Sequence, residues 1–441
     1  MTSAHAVGIA GILLMLAMMF LRVPIAVAML TAGAGGYVVL SGWTPLLSHL
    51  KTGPYLLLAS DSFSVIPLFL LMGYIAARAG ISRALFGGAH AVMGHVRGGL
   101  ALAAVGGCAM FGAICGSSLA TAATMGQVAL PEMRRHGYSG RLATGTLAAG
   151  GTLGILIPPS IGLIVYGILA EQNIAKLFLA AFVPGLIAAL GYMAAIMIQV
   201  RLRPQDGPPG GRATRAERLR ALVAMGPPTS LFLLVLGGIY SGVFTPTEAA
   251  SFGVLGALLL ALLVYRIPWA ELTASLLDTA LSSAMIFLIL IGADVFNAFM
   301  ALSGVPQGLA DAIGHSGMAP MAVLVAILLI YVVLGCLMDS ISMIILTLPI
   351  FLPAVLGLDF GMTPEHTAIW FGILVLVVIE VGLITPPVGM NVFVINKLAG
   401  DVPMAETFRG VVPFLVSDFV RVVLLVAFPV LSWGVLDLVG W

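Results

Sequence analysis

Two short stretches carry polar side chains into apolar surroundings: GSSLATAATMG at residues 116–126 and MDSIS at 338–342. Downstream of each lies a paired proline, in TLGILIPPSIG (152–162) and EVGLITPPVG (380–389). A proline inside a helix has no N–H and crowds the carbonyl four residues back, so Pro158–Pro159 and Pro386–Pro387, flanked by Gly150, Gly151, Gly154, Gly382 and Gly389, should open their helices. Carbonyls freed in this way cannot face lipid, where each unsatisfied polar group costs several kcal/mol. They must line a cavity, and clustered carbonyl and hydroxyl oxygens suit a desolvated monovalent cation such as sodium. Ser117, Ser118 and Thr121 supply such oxygens in the first stretch, and Asp339, Ser340 and Ser342 in the second. Helices that begin at these residues also present free N–H groups and positive dipole ends, which favour an anion. In a single membrane helix Pro-Pro is commonly a packing kink, and Ser/Thr runs commonly bond their own backbone. Two copies, each with a polar stretch before it, point to a binding site.

Four acids stand near or within apolar segments: Asp61, Asp294, Asp339 and Glu380. Intramembrane acids are costly and are functional candidates by default. Asp61, near a helix end, is read as wet; Asp294 lies deeper, and no partner for it is apparent. Asp339 should hold a cation or cap a helix. Glu380, six residues before Pro386, either tunes a cation or ties a hairpin to its neighbour. An aspartyl protease built on Asp294 and Asp339 is a reading from another class, but such a dyad needs two carboxylates sharing one proton, and Asp339 is expected at a hairpin tip.

The elements that position these residues follow from composition. Of 441 residues 61% are apolar and 8% charged, mean hydropathy is +1.14, and apolar runs recur from end to end. The chain reads as an all-α polytopic membrane protein. A net charge of +1 without a basic patch gives no reason to expect nucleic acid. The three cysteines, Cys108, Cys115 and Cys336, sit in apolar segments as small buried hydrophobes, and the seven histidines form no ligand pattern, so no transition metal is expected. Residues 6–21 imitate a signal peptide, but no Lys or Arg precedes them and Arg22 follows, so a retained first helix is expected.

The soluble, arginine-rich stretch RLRPQDGPPGGRATRAERLR, 201–220, reads as a flexible cytoplasmic linker between two halves, 1–200 and 221–441. Arg78, Arg83, Arg97, Arg134, Arg135 and Arg141 fall on the same side as that linker. Segment 99–131 therefore has both ends on one side and reads as a re-entrant hairpin with Gly116-Ser117-Ser118 at its tip, followed by a broken helix over 141–170. The second half repeats this plan upside down, with a hairpin over 320–355 entering from outside and a broken helix over 367–395. About ten spanning helices result, five and one hairpin per half. The repeat also shows in the residues. Ser118 and Leu130-Pro131 fall on Ser340 and Leu352-Pro353 at an offset of 222, and GILIPP (154–159) on GLITPP (382–387) at 228. The same offsets pair Glu380 with Thr152 and Asp339 with Ser117, so acidity is confined to the second half. Inverted repeats, broken helices and half-helix ends at the midplane are the signature of a secondary transporter site. Between repeat and hairpin, SRALFGGAHAVMGHVRG (82–98) is either an interfacial helix or a polar connector.

GSSLATAATMG, GTLGILIPPSIGLIVYG (151–167) and EVGLITPPVGMNVFVI (380–395) resemble the signatures of the large membrane subunit of tripartite ATP-independent periplasmic (TRAP) transporters, within the ion transporter superfamily, and the resemblance runs from LRVPIAVAML to the final helix. It implies an elevator-type transporter and not an enzyme. Sodium-coupled import of an organic acid (a dicarboxylate, sialic acid or sugar acid) is expected, with Na+ as coupling ion and no organic cofactor. The expected partners are a small four-helix membrane subunit and a soluble periplasmic substrate-binding protein. The expected location is the bacterial cytoplasmic (inner) membrane, with both termini periplasmic. The resemblance implies one sodium site at Gly116, Ser117 and Ser118 with backbone around Gly151, Leu153 and Leu156. A second is implied at Gly335, Asp339 and Ser340 with backbone around Gly382, Thr385 and Met390, and substrate near Thr121, Pro159, Ser342 and Pro387. Met338-Asp339-Ser340 replaces the Gly-Ser-Ser of the first half, which makes the second site the harder to transfer. A stand-alone sodium- or proton-coupled carrier or antiporter of the same superfamily is the alternative.

Overall fold

The computed structural model describes residues 3–315 and 317–441, apart from the side chains of 310 and 313–315. All of its regular structure among the described residues is helical. Among the described residues eight helices are long and apolar enough to cross a membrane, or nine with the bent pair Gly140–Leu156 and Ile161–Leu169. Ile25–Ser41, at 17 residues, is at the short limit for a span, and with it the count reaches the ten expected.

The two halves interlock. Ile25–Ser41 packs along Trp269–Ser303, and Pro246–Leu259 along Asp61–Arg78, so each half supplies a helix to the other's long span. The first crossing is close because glycines line it: a Cβ on Gly33 would stand 2.8 Å from the Phe296 backbone, and one on Gly292 2.6 Å from the Ala26 carbonyl. Ile81–Met93 lies on Gly99–Cys115 and Arg215–Tyr240 with Ile81, Leu85 and Phe86 buried, so the stretch 82–98 is mostly a packed helix and not a connector. Its counterpart Val305–His315 lies on Ser340–Leu356 and Ser3–Phe20.

Within this frame stand the two hairpins, Gly99–Cys115 with Ser118–Arg135 and Pro320–Gly335 with Ser340–Leu356. The first descending arm runs beyond the expected 131 to Arg135, and the second broken helix is longer than expected, with limbs Pro364–Ile384 and Met390–Ala399. Each descending arm packs on the second limb of the other half's broken helix: Ser118–Arg135 on Met390–Ala399, and Ser340–Leu356 on Ile161–Leu169. Pro364–Ile384 lies at the centre, with 94% of its most apolar window buried, against 17% for the peripheral Ser3–Phe20. The linker is shorter than expected. Ile174–Leu202 runs into it, and Thr214 starts the next helix by capping the Glu217 N–H while the Glu217 carboxylate caps Thr214, leaving only 203–214 without α-helix.

Candidate functional site

At the first tip Gly116, in the left-handed region at φ 66°, ends one arm, and Ser117, extended, begins the next. Gly116 touches the break directly: its carbonyl accepts from the Ile161 N–H at 3.3 Å. Pro158 and Pro159, joined by a cis peptide bond, provide no N–H for the carbonyls of Gly154 and Ile155, and Ile157 leaves the helix extended. Ser160 restarts it by accepting from the Leu163 N–H at 3.2 Å. Glycine brings tip and break together. A Cβ on Gly154 would fall on Thr121 Oγ1 and lie 2.7 Å from the Ser117 carbonyl oxygen.

The second site repeats this backbone plan. Asp339 caps Ser340–Leu356 by accepting from the Ser342 N–H at 3.1 Å, so the capping role anticipated for it is made. A Cβ on Gly382 would stand 2.6 Å from Gly335 Cα, as one on Gly112 would from Gly154 Cα at 2.5 Å. After the break, with its cis Pro386–Pro387 bond, Gly389 at φ 62° leads into Met390–Ala399. The exposures differ: Pro158 and Pro159 are buried, whereas Pro386 and Pro387 are exposed.

Both tips open on one cavity of about 460 Å³. Gly116, Ser117, Ser118, Asp339 and Ser340 line it, facing Tyr74 and Ser282 of the long spans, which are hydrogen-bonded at 2.7 Å. The remaining expected site residues, Gly151, Leu153, Leu156, Gly335, Gly382, Thr385 and Met390, and also Thr121, Pro159, Ser342 and Pro387, stand off its wall. Thr121 Oγ1 and Ser342 Oγ, one beside each tip, are nonetheless buried oxygens without a protein hydrogen-bond partner.

Glu380 joins the tips. It is wholly buried, and Ser118 Oγ donates to one of its oxygens at 2.6 Å while Ser340 Oγ donates to the other at 3.1 Å. Of the two roles open to it in the sequence, the tie is the one its contacts make. Thr152, its counterpart by offset, donates to the Ala149 carbonyl at 2.6 Å and meets the Tyr192 hydroxyl at 2.9 Å. Tyr192 donates to Asp418 at 2.9 Å, and Asp418 pairs with Arg421 at 2.8 Å, both nearly without exposure. Sequence reasoning passed over this pair, although an acid and an arginine three apart in an apolar run are the signal for it. It also passed over Asn391, next to the second break, whose amide donates to the Ala148 carbonyl of the first broken helix at 3.3 Å.

Two other acids lie outside the site. Asp294 does have a partner: His49 Nε2 stands 2.8 Å from its Oδ2. Asp339 instead lines the cavity and caps Ser340–Leu356, so the two acids do not form the dyad a protease would require. Asp61 is exposed at the start of its helix.

Residues 12–431 match the family described as tripartite ATP-independent periplasmic transporter, DctM component. The chain is 36% identical over 378 residues to the C4-dicarboxylate TRAP transporter large permease protein DctM of Pseudomonas aeruginosa, covering 85% of this chain and 86% of that one. It is 32% identical to the ectoine/5-hydroxyectoine TRAP transporter large permease protein UehC of Ruegeria pomeroyi, covering 97% and 98%. It is also 32% identical to the sialic acid TRAP transporter large permease protein SiaM of Vibrio cholerae, covering 84% and 85%. In fold it is similar to the YdaH transporter of Alcanivorax borkumensis, with a TM-score of 0.64, 15% identity, and 93% and 98% of the two chains covered.

Proposed function

This chain belongs to the DctM-component family of tripartite ATP-independent periplasmic transporters, and from that premise we propose that it imports an organic acid with sodium as the coupling ion. It is a multi-span transporter permease and not an enzyme. The observation that carries the proposal is the convergence of two capped hairpin tips on one cavity, tied through Glu380. Backbone and hydroxyl oxygens at Gly116, Ser117 and Ser118, and at Asp339 and Ser340, would hold the cations. The starts of Ser118–Arg135 and Ser340–Leu356 would face the carboxylate of the solute. Thr121 Oγ1 and Ser342 Oγ, buried beside the tips without a protein hydrogen-bond partner, are two further oxygens that would serve a bound ion or solute. The relatives named above act on C4-dicarboxylates, ectoines and sialic acid, and the solute of this chain is drawn from that range of small organic acids.

The cavity lies between the hairpin tips and the long spans Asp61–Arg78 and Trp269–Ser303. That position favours an elevator, in which hairpins and broken helices slide as one body past the spans and carry the cavity with them. A small membrane subunit would steady the spans, and a periplasmic binding protein would deliver solute to the chain in the inner membrane, both termini lying outside. The test is uptake into proteoliposomes holding this chain and its small subunit. Uptake should require both the cognate binding protein and an inward sodium gradient. Equal uptake by this chain alone, or without sodium, would overturn the proposal.

A further inference from the structure

Away from the hairpins, a lateral groove of about 830 Å³ runs between Ile174–Leu202 and Met404–Ala427. Its walls are apolar and open to the membrane: Leu190, Ile198 and Val420 are 55%, 59% and 51% exposed. At one end the groove meets a second, polar cavity of about 670 Å³, and Arg141 and Arg203 line both. Two of the three acids of that polar cavity are paired with cations, and the third, Asp206, meets only an amide among the described residues. Asp401 pairs with Arg134, Glu406 with Arg409 at 2.7 Å, and Asp206 accepts from Gln199 at 3.4 Å. Arg141 reaches only the Arg409 carbonyl, at 3.1 Å, and its Nε is buried without a partner. Arg203, at the end of its helix, is exposed, and neither arginine has an ion pair among the described residues. Arg421 reaches the groove farther along, where Asp418 answers its charge at 2.8 Å.

An apolar channel, two unpaired guanidinium groups at its mouth against the single unpaired carboxylate of Asp206, and a polar cavity beyond them form the profile of one amphiphile lying on its side. Basic pockets between membrane helices at the arginine-rich side of a protein recognise anionic headgroups, while the adjoining hydrocarbon surface takes the acyl chains. We propose that this groove binds an anionic phospholipid, its phosphate between Arg141 and Arg203 and an acyl chain along Leu190, Ile198 and Val420. A soluble phosphate would use the arginines but leave the channel unexplained. The proposal is independent of what the permease carries.

The experiment is native mass spectrometry of the full chain in detergent, incubated separately with phosphatidylglycerol, phosphatidylcholine or inorganic phosphate. Phosphatidylglycerol should be retained over phosphatidylcholine by about 5-fold, the value expected of two basic side chains offset by the Asp206 carboxylate. The double variant Arg141→Gln/Arg203→Gln should abolish that preference. Val420→Trp, which fills the channel and leaves the charges alone, should lower retention of both lipids and keeps the test open if the arginine variant does not fold. Equal retention of the two lipids, retention unchanged by Val420→Trp, or displacement of phosphatidylglycerol by inorganic phosphate would each overturn the proposal. So would disulfide capture of a second protein chain by a cysteine placed at Val420, since the groove would then be covered by protein.

Discussion

Replacing Glu380 by alanine should loosen both hairpin tips at once. The carboxyl is the shared partner of Ser118 at 2.6 Å and Ser340 at 3.1 Å, and all three residues are buried. Without it two buried hydroxyls lose their acceptor, at about 1–3 kcal/mol each. Relief from burying the carboxyl itself offsets part of that sum, which leaves a net cost of about 2–4 kcal/mol, or roughly 30- to 700-fold in the equilibrium that holds the tips together. Glutamine is the informative contrast. It keeps an oxygen acceptor and adds an amide donor, and the serine hydroxyls can rotate to suit, so Glu380→Gln should cost only about 1 kcal/mol. The assay is a double-mutant cycle on the melting of the detergent-solubilised chain, pairing Glu380→Ala with Ser118→Ala and with Ser340→Ala. Coupling of about 1–3 kcal/mol is expected with each serine, and none with Ser303→Ala, whose hydroxyl donates to the Met300 carbonyl at 2.7 Å and shares no partner with Glu380. Coupling below about 0.5 kcal/mol to both tip serines would refute the idea that this carboxyl joins the tips.

Gly154→Ala and Gly382→Ala should each cost about 1–3 kcal/mol through overpacking, because the new Cβ meets the Ser117 carbonyl at 2.7 Å or Gly335 Cα at 2.6 Å. Gly106→Ala, whose Cβ finds nothing nearer than 3.8 Å, should melt at or above the wild-type temperature. Solute uptake by the three reconstituted variants should fall only for the first two. Asp418→Ala leaves Arg421 as a buried, unanswered charge and should cost about 3–5 kcal/mol, whereas Asp418→Leu with Arg421→Met should be near neutral by thermal melting. Tyr192→Phe, which removes a hydroxyl bonded to both Thr152 and Asp418 at 2.9 Å, should cost about 1–2 kcal/mol in the same assay. Arg78→Ala breaks pairs with Glu271 and Asp278 that are a third or more exposed, so a loss above about 1 kcal/mol would contradict the weakness expected of wet ion pairs.

The parts of the site legible in the sequence are those whose cause is local. Paired prolines open a helix wherever they stand, a serine or aspartate starts one, and a glycine admits a backbone, so the breaks and tips could be placed from a few neighbouring residues each. The linker was misjudged for an equally local reason. Its prolines and glycines masked the Thr214 and Glu217 capping pair, which carries the next helix back to Arg215. What could not be read is who answers a buried polar group across the fold. Asp294 finds His49 at 245 residues' separation and Tyr192 finds Asp418 at 226, distances over which hydropathy and periodicity carry no information.

That limit explains why the halves share a backbone plan but not a polar chemistry. Glycine and proline act on their own chain, so an offset in sequence carries their effect from one half to the other. A side chain's partners depend on which helix happens to stand beside it. Beside Thr152 stands Ile174–Leu202 with Tyr192, and behind that Asp418 and Arg421, a network that holds the first broken helix from outside the cavity. Glu380 accepts its two side-chain hydrogen bonds from the two tips, while elsewhere on the same helix Trp370 donates to the Leu425 carbonyl at 2.8 Å and the Ala368 carbonyl accepts from Tyr166 at 2.6 Å. A ligand that draws Ser118 or Ser340 toward itself must therefore compete with Glu380, whereas it leaves the anchor of Thr152 untouched. Occupancy of the cavity should therefore disturb the hydrogen bonds of Glu380 and not those of Thr152.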